Sequence, residues 1–211
     1  MNVFLAGASG AIGLPLVRQL IAGGHQVTAL TRSTANAATL AQLGATPVVA
    51  DALDAAALRR AVVDAHPTHV VHQLTALPKG GPRSARDLEP TNRLRIDGTK
   101  NLLDAAIAAG AKRILGGSFA LLGAASTVPI PADLQAAADA VRSLESQILD
   151  ASARGRIEGV ILRYGLFYAL ENPITQQMIA LAQSFSNQSN LAVFEVADAA
   201  MRHVRGCGAR P

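Results

Sequence analysis

The glycine-rich segment at residues 7–13 constrains the fold of this chain more than any other feature. It reads Gly-Ala-Ser-Gly-Ala-Ile-Gly, follows an apolar run at residues 1–6 and leads into a helix-like stretch that begins at Leu14. In a strand, turn and helix of this spacing, the first glycine permits a sharp turn. The second leaves the backbone open to a pyrophosphate, and the third lets the helix pack closely on the strand. The spacing predicts a dinucleotide-binding turn, with a ligand-free turn as the alternative, made by Gly7, Ser9, Gly10, Ala11, Ile12 and Gly13.

The rest of the chain alternates between strand-like and helix-like segments. Apolar runs of strand length are separated by stretches with helical spacing of apolar residues, and Gly44 and Gly110 end two of these helices. No internal repeat or interdomain linker interrupts the series. This order predicts an α/β fold with a doubly wound parallel sheet, the Rossmann fold. The predicted strands are 1–6, 26–30, 46–50, 68–74, 112–119 and 158–163, and the predicted helices are 14–21, 37–43, 55–65, 91–109 and 132–151.

The ends of the predicted strands supply further candidates, because ligands in open α/β sheets bind outside the carboxyl ends of the strands. No carboxylate occurs between His25 and Ala50, where an Asp or Glu would bind the ribose 2′-hydroxyl of NAD. Arg32 follows the second strand instead, and a guanidinium pairs with a 2′-phosphate. This favours NADP over NAD, although a solvated loop arginine is the alternative. The predicted cofactor contacts here are Arg32, Ser33, Asp51, Ala52, Gln73, Leu74 and Thr75, whereas His72 is interpreted as a strand histidine rather than a general base.

Composition narrows the classes of partner. The 211 residues carry a formal net charge of +4, with five Phe, two Tyr and no Trp, and no basic run is interleaved with aromatics. The sequence therefore predicts no nucleic-acid surface. No apolar run spans a membrane without charged or glycine interruption, and the first strand begins too early for a secretory leader. With a single cysteine, Cys207, these features favour a cytoplasmic protein without a membrane segment, and no metal site is predicted.

Several of these segments occur in a familiar combination: the glycine turn, Asp51-Ala52, the helical stretch at 97–103, Ser118, and Leu-Arg-Tyr-Gly at 162–165. Together they resemble the NAD-dependent epimerase/dehydratase family, the extended or atypical branch of the short-chain dehydrogenases/reductases. The resemblance covers about residues 1–170. It implies hydride transfer at a carbinol or carbonyl carbon of a small-molecule substrate, and a homodimer formed through the two long helices.

The catalytic pattern of that family is incomplete here. Ser118 matches the family serine that holds the substrate oxygen, but residues 132–151 contain neither tyrosine nor lysine, so the family's Tyr-x-x-x-Lys pair is missing. The two phenols of the chain are Tyr164 and Tyr168, and the resemblance places both near the nicotinamide. The catalytic candidates are therefore Ser118 and Tyr164.

Alignment of the long helix on Glu145 shows what replaces the missing pair. Ala137 takes the tyrosine position and Val141 the lysine position, with Arg142 as a neighbouring cation that retains the charge but not the phenol. On the preceding helix, Arg95 occupies a position where many relatives carry an asparagine. These departures make a non-catalytic role a serious alternative.

The resemblance also implies a C-terminal substrate region, which is short in this chain. We expect a dinucleotide-binding domain at 1–170 and a short substrate region at 171–211, which is either a minimal lobe or one that has lost its end. The leading hypothesis is an NAD(P)-dependent enzyme of the epimerase/dehydratase type. The alternatives are an inactive NADP-binding sensor or regulatory module, and a degenerate relative with neither activity.

Overall fold

The computed structural model describes residues 1–78, 81–123, 126, 129–168 and 193–195. Its main strands are β1 (Asn2–Ala6), β2 (Gln26–Thr31), β3 (Thr46–Val49), β4 (His69–His72), β5 (Arg113–Phe119) and β6 (Glu158–Tyr164). Its α-helices are α1 (Gly13–Ala22), α2 (Thr34–Gln42), α3 (Ala55–Ala65), α4 (Glu89–Arg93), α5 (Thr99–Ala108) and α6 (Gln135–Ala153). The six strands form one parallel sheet in the order β3-β2-β1-β4-β5-β6. The order reverses between β1 and β4, so the predicted doubly wound fold is confirmed.

Neighbouring residues of each strand pack on opposite faces of the sheet. Phe4 of β1 lies in one apolar cluster with Leu102 of α5 and Ile148 of α6, whereas Leu5 lies in another with Leu16 of α1. All five side chains are fully buried. A parallel strand covered on both faces presents apolar side chains in both directions, which is why these strands read as continuous apolar runs. α1 and α2 cover one face, and α3, α5 and α6 cover the other.

The long helix before β5 is present but contains a π turn that the sequence did not predict. α4 continues into a π-helical segment, Leu94–Gly98, which leads directly into α5. Thr91 and Thr99, on either side of the π turn, are both fully buried. The Thr91 hydroxyl accepts the Ala76 N–H, and the Thr99 hydroxyl bonds to the His72 ring. At 3.6 residues per turn, two positions eight residues apart lie about 80° out of phase. The underwound π turn corrects this phase difference, so both threonines reach the sheet.

Beyond β6 the structure describes two short strands, β7 (Leu166–Tyr168) and β8 (Val193–Glu195), which pair in parallel in a separate two-stranded sheet. Apart from β8, the substrate region predicted at 171–211 lies outside the described residues. None of the helices within the described ranges is both long enough and apolar enough to cross a membrane.

Candidate functional site

A cleft of about 140 Å³ opens at the carboxyl edge of the sheet, at the switch point between β1 and β4. Each of the four strands on this side of the sheet contributes the residues at or just after its end, and one residue comes from the π turn. Crevices at this place in doubly wound sheets are the usual ligand sites. The lining residues are Gly7, Ser9, Gly10, Leu30, Thr31, Arg32, Ala50, Asp51, Ala52, Gln73, Leu74, Thr75 and Leu94.

The glycine turn is too closely packed for side chains at two positions. Gly7 has a φ of +90°, and a Cβ there would collide with the backbone carbonyl of Gln73. A Cβ on Gly13 would collide with the carbonyl oxygen of Gly7. The turn is held by a hydrogen bond of 3.1 Å from the Gly10 N–H to the Gly7 carbonyl. The backbone itself is therefore the surface that this turn presents to a ligand, as a pyrophosphate cradle requires.

The cleft near β2 and β3 carries the candidates for an adenosine site. Arg32 lines the cleft and is exposed. Ser33 does not line it: its hydroxyl accepts the Asn36 N–H at 3.3 Å and so caps α2, which begins three residues earlier than predicted. Asp51 accepts the Leu53 N–H at 2.9 Å, which fixes the carboxylate at the rim of the cleft.

On the other side of β1, Gln73 joins the cleft to Tyr164. The Gln73 backbone N–H extends the sheet by donating to the Ala6 carbonyl at 2.8 Å, and its side-chain Nε2 donates to the Tyr164 hydroxyl at 3.0 Å. Gly117 of β5 makes this contact possible, because a Cβ there would lie only 2.5 Å from Gln73 Oε1. Tyr164 is 9% exposed and does not line the cleft. No sequence signal pointed to Gly117, because its role depends on the Gln73 side chain, which is distant in the chain but packs against it.

Ser118 reaches the carboxyl edge as predicted, but its hydroxyl donates to Glu145 of α6 at 2.6 Å. Glu145, 1% exposed, also receives two hydrogen bonds from Arg163, at 2.8 Å from Nε and 2.9 Å from Nη2. These hydrogen bonds raise the pKa of the Arg163 guanidinium. A buried carboxylate is tolerated only when it is paired in this way. Ser118 therefore belongs to a buried polar network, and its contact with substrate stays a prediction.

α6 offers neither a phenol nor a cation at the aligned catalytic positions. Ala137 and Val141 are buried against the sheet, at 2% and 1% exposure. Arg142, the candidate replacement for the lysine charge, forms an ion pair of 2.6 Å with Asp139 on the exposed side of the helix. Arg142 does not line the cleft, and its interpretation as a substitute for that lysine stays a prediction.

His72, at the end of β4, is fully buried and held as a neutral ring. Its Nδ1 accepts the Leu74 N–H at 3.2 Å, so Nε2 carries the proton and donates to the Thr99 hydroxyl at 2.8 Å. Burial, with a smaller effect of the nearby Arg95 charge, lowers the pKa of His72 to about 4. A ring with both nitrogens occupied and so low a pKa suits a structural role, in agreement with its interpretation as a strand histidine.

The cleft brings together nine of the thirteen predicted cofactor contacts. Three of the other four, Ala11, Ile12 and Gly13, form the second half of the glycine turn and lead into α1, and the fourth is the capping residue Ser33. Thr31 and Ala50 were missed although each adjoins a predicted contact, and Leu30 lies two residues before Arg32. Leu94 had no sequence signal, since the helix that carries it follows β4 by more than ten residues.

A doubly wound sheet with a glycine turn at its switch point defines a dinucleotide-binding protein. Residues 7–202 match the family model described as NAD(P)H-binding. The chain belongs to this NAD(P)H-binding family, and nicotinamide dinucleotide binding is therefore the cofactor property that the chain shares with its relatives.

Individual relatives agree with this assignment. A 3-diazoavenalumate denitrifying reductase from a Streptomyces species is 41% identical over 185 residues, covering 80% of this chain and 57% of the relative. The chain thus spans little more than half of that protein, and less than a quarter of two further curated relatives. The predicted NAD(P)-binding, oxidoreductase-like character of the chain is confirmed.

Solved structures share the fold. A UDP-glucose 4-epimerase from Thermus thermophilus in complex with NAD superposes with a TM-score of 0.76 at 20% identity, covering 100% of this chain and 75% of the epimerase. An anaerobillin reductase from Escherichia coli superposes with a TM-score of 0.69 at 19% identity, covering 98% of this chain and 90% of the reductase. At these identities the likeness concerns the fold alone.

Proposed function

We propose that this protein binds NADP(H) in the cleft and transfers hydride at a carbinol or carbonyl carbon of a small-molecule substrate. The observation that carries the proposal is the glycine turn, where neither Gly7 nor Gly13 has room for a Cβ. A turn packed this closely leaves its backbone N–H groups as the ligand surface. When bound, the nicotinamide dinucleotide supplies or accepts the hydride.

Arg32 supports NADP over NAD. It lines the cleft at the end of β2, where the ribose of a dinucleotide lies in this fold, and it forms no ion pair with any residue that the structure describes. Its guanidinium is therefore available for a 2′-phosphate, with bidentate geometry and charge assistance. The nearest lining carboxylate, Asp51, already accepts a backbone N–H through one oxygen.

Tyr164 is our candidate for the group that moves a proton to or from the substrate oxygen. Gln73 donates to its hydroxyl oxygen, so the hydroxyl hydrogen points away from Gln73. That arrangement orients the phenol through a residue that lines the cleft. Ser118 has to release Glu145 before its hydroxyl can donate to a substrate oxygen, which makes it the weaker of the two candidates.

An inactive NADP-binding sensor is the second candidate function. Buried Ala137 and Val141 on α6, together with the engagement of Ser118 by Glu145, favour it. Such a module binds the nucleotide as the enzyme does, but no hydride leaves the bound cofactor.

The Streptomyces relative points to a substrate class whose reduction needs no phenol. Its name describes a reductase that acts on a diazo compound and removes nitrogen. When hydride replaces a diazonium group, one C–H bond forms, the C–N bond breaks and dinitrogen leaves with the electron pair of that bond. No proton is transferred to an alcohol oxygen, so the substitution of Ala137 for the family tyrosine is compatible with this chemistry.

We also propose a cytoplasmic homodimer. Ile96 in the π turn and Leu149 of α6 are large apolar side chains, each 43% exposed, on the helices through which many family members pair. Gln147 of α6 donates to the Ile96 carbonyl at 3.1 Å, which places the two exposed positions on adjacent helices. Light scattering of the wild type and of Leu149→Lys tests this, since a charge at a dimer interface shifts the equilibrium to monomer.

Transfer of deuterium separates the enzyme from the sensor. The protein is incubated with NADPH deuterated at the transferable position and with a panel of aldehydes, ketones and arenediazonium salts, and the products are analysed by mass spectrometry. Deuterium in a product, absent with Gly7→Ala, supports the oxidoreductase. Tight NADPH binding without transfer to any member of the panel supports the sensor.

A further inference from the structure

Arg95 is a largely buried cation for which the described residues supply no anion. It lies in the π turn next to Leu94, which lines the cleft. It forms no ion pair or hydrogen bond with a described residue, unlike Arg93 two residues earlier, which pairs with Asp97. Burial lowers the pKa of the Arg95 guanidinium to about 10, so the group stays charged at neutral pH. A buried charge is costly unless it is paired, which indicates that an anion binds there.

The position of Arg95 separates it from the phosphates of the cofactor. Its charge acts on His72 at the end of β4, and the next residue, Ile96, is bonded to Gln147 of α6. Arg32, the candidate for the 2′-phosphate, lies at the end of β2 on the other side of β1. The glycine turn that cradles a pyrophosphate lies between the two. An anion at Arg95 is thus on the β4–α6 side, next to the part of the cleft that Leu94 lines.

A second polar group without a partner lies on the same side of the helix. The Oδ1 atom of Asn92 is buried and accepts no hydrogen bond from any residue that the structure describes. Residues three apart are neighbours on a helix surface, so Asn92 and Arg95 present an acceptor and a cation side by side. This combination suits a ligand that carries both a negative group and a hydroxyl or amide donor.

We propose that Arg95 binds a carboxylate of the substrate and thereby makes the protein selective for organic acids. The inference rests on the proposed function, since the ligand is the substrate of the same site. A planar guanidinium forms two parallel hydrogen bonds with a carboxylate, which fixes the orientation of the substrate as well as its charge. Because His72 is held neutral beside it, Arg95 supplies the positive charge at this place.

The test uses benzoate and its neutral analogue benzamide as probes, with the full-length protein saturated by NADP⁺. Binding is measured by calorimetry and by the shift in thermal unfolding. We expect benzoate to bind and benzamide to bind at least tenfold more weakly. Arg95→Gln should weaken benzoate binding by about tenfold or more, since a charge-assisted pair is lost, while Arg95→Lys should retain part of it. Arg93→Gln, which removes an exposed cation from the same helix, is the matched control and should leave benzoate binding unchanged.

Three results overturn the inference: equal binding of the two probes, unchanged benzoate binding in Arg95→Gln, or phosphate that binds as tightly as benzoate. Failure of the proposed function is distinguishable, because it appears as loss of NADP⁺ binding by the wild type. If Arg95→Gln unfolds, benzoate binding by Arg95→Lys is compared with that of the wild type. Lysine keeps the charge but not the bidentate geometry, so weaker binding supports a specific carboxylate site, whereas unchanged binding indicates a diffuse effect of charge and overturns the inference.

Discussion

The side-chain amide of Gln73 donates to the hydroxyl oxygen of Tyr164 at 3.0 Å, across a strand that carries glycine at the point of crossing. This contact links a residue that lines the cleft to the phenol that we assign to proton transfer. Three parallel strands thus contribute to one arrangement: the residue after β4 supplies the amide, β6 supplies the phenol, and β5 leaves the space between them. Gly117 should therefore be necessary for the hydrogen bond between Gln73 and Tyr164.

Gly117→Ala should destabilise the fold and displace the Gln73 side chain. The new Cβ would lie 2.5 Å from Gln73 Oε1, so the side chain must move and its bond to Tyr164 breaks. Overpacking of this kind costs about 1–3 kcal/mol in the free energy of unfolding, measured by urea titration. In a Gln73→Ala background the obstacle is gone, so the cost should fall below about 1 kcal/mol. An equal cost in both backgrounds would show that the glycine serves another purpose.

Gly7→Ala should abolish nucleotide binding. The substitution combines an unfavourable φ of +90° with a collision against the Gln73 carbonyl, so the turn must open. Gly24→Ala is the matched control, because Gly24 has a φ of +74° but open space around it. That control should lose about 1 kcal/mol of stability from backbone strain alone and bind NADPH as the wild type does. Wild-type NADPH affinity in Gly7→Ala would contradict the cradle assignment.

The stability of the protein should depend on pH through His72. Its folded pKa of about 4 lies below the usual value of 6.5, so between these values the unfolded chain binds more protons than the folded one. Stability is therefore fully present above pH 6.5 and is lost as the pH falls towards 4, by up to about 3 kcal/mol. His72→Asn should flatten this part of the profile in urea unfolding, because Asn can accept the Leu74 N–H without titrating.

His66→Asn is the control for that experiment. His66 is exposed and has a φ of 44°, a conformation that Asn adopts readily. The pH profile of this control should follow the wild type. An unchanged slope in His72→Asn would mean that other groups cause the loss of stability in this range.

The architecture could be predicted from the sequence because each of its determinants is local. Strands covered on both faces appear as apolar runs, and the glycine spacing of residues 7–13 needs only neighbours in the chain. The nine predicted residues that line the cleft lie at strand ends, and the parallel topology brings all strand ends to one edge.

The parts that could not be predicted depend on contacts between distant segments. The engagement of Ser118 by Glu145 follows from how α6 packs on β5, across 27 residues of sequence. The π turn follows from the demand that Thr91 and Thr99 both reach the sheet, which no local periodicity encodes. The role of Gly117 appears only once Gln73 is placed opposite it.

The central claim is that the cleft binds NADP(H) with Arg32 on the 2′-phosphate, and a titration of the purified protein with NADPH and NADH tests it most directly. Nucleotide fluorescence and thermal stability are followed for the wild type, for Arg32→Ala, and for Arg60→Ala as an exposed control on α3. We predict tighter binding of NADPH than of NADH, a loss of about tenfold or more for NADPH in Arg32→Ala alone, and unchanged NADH binding. Absence of binding of either nucleotide at millimolar concentration would contradict the account.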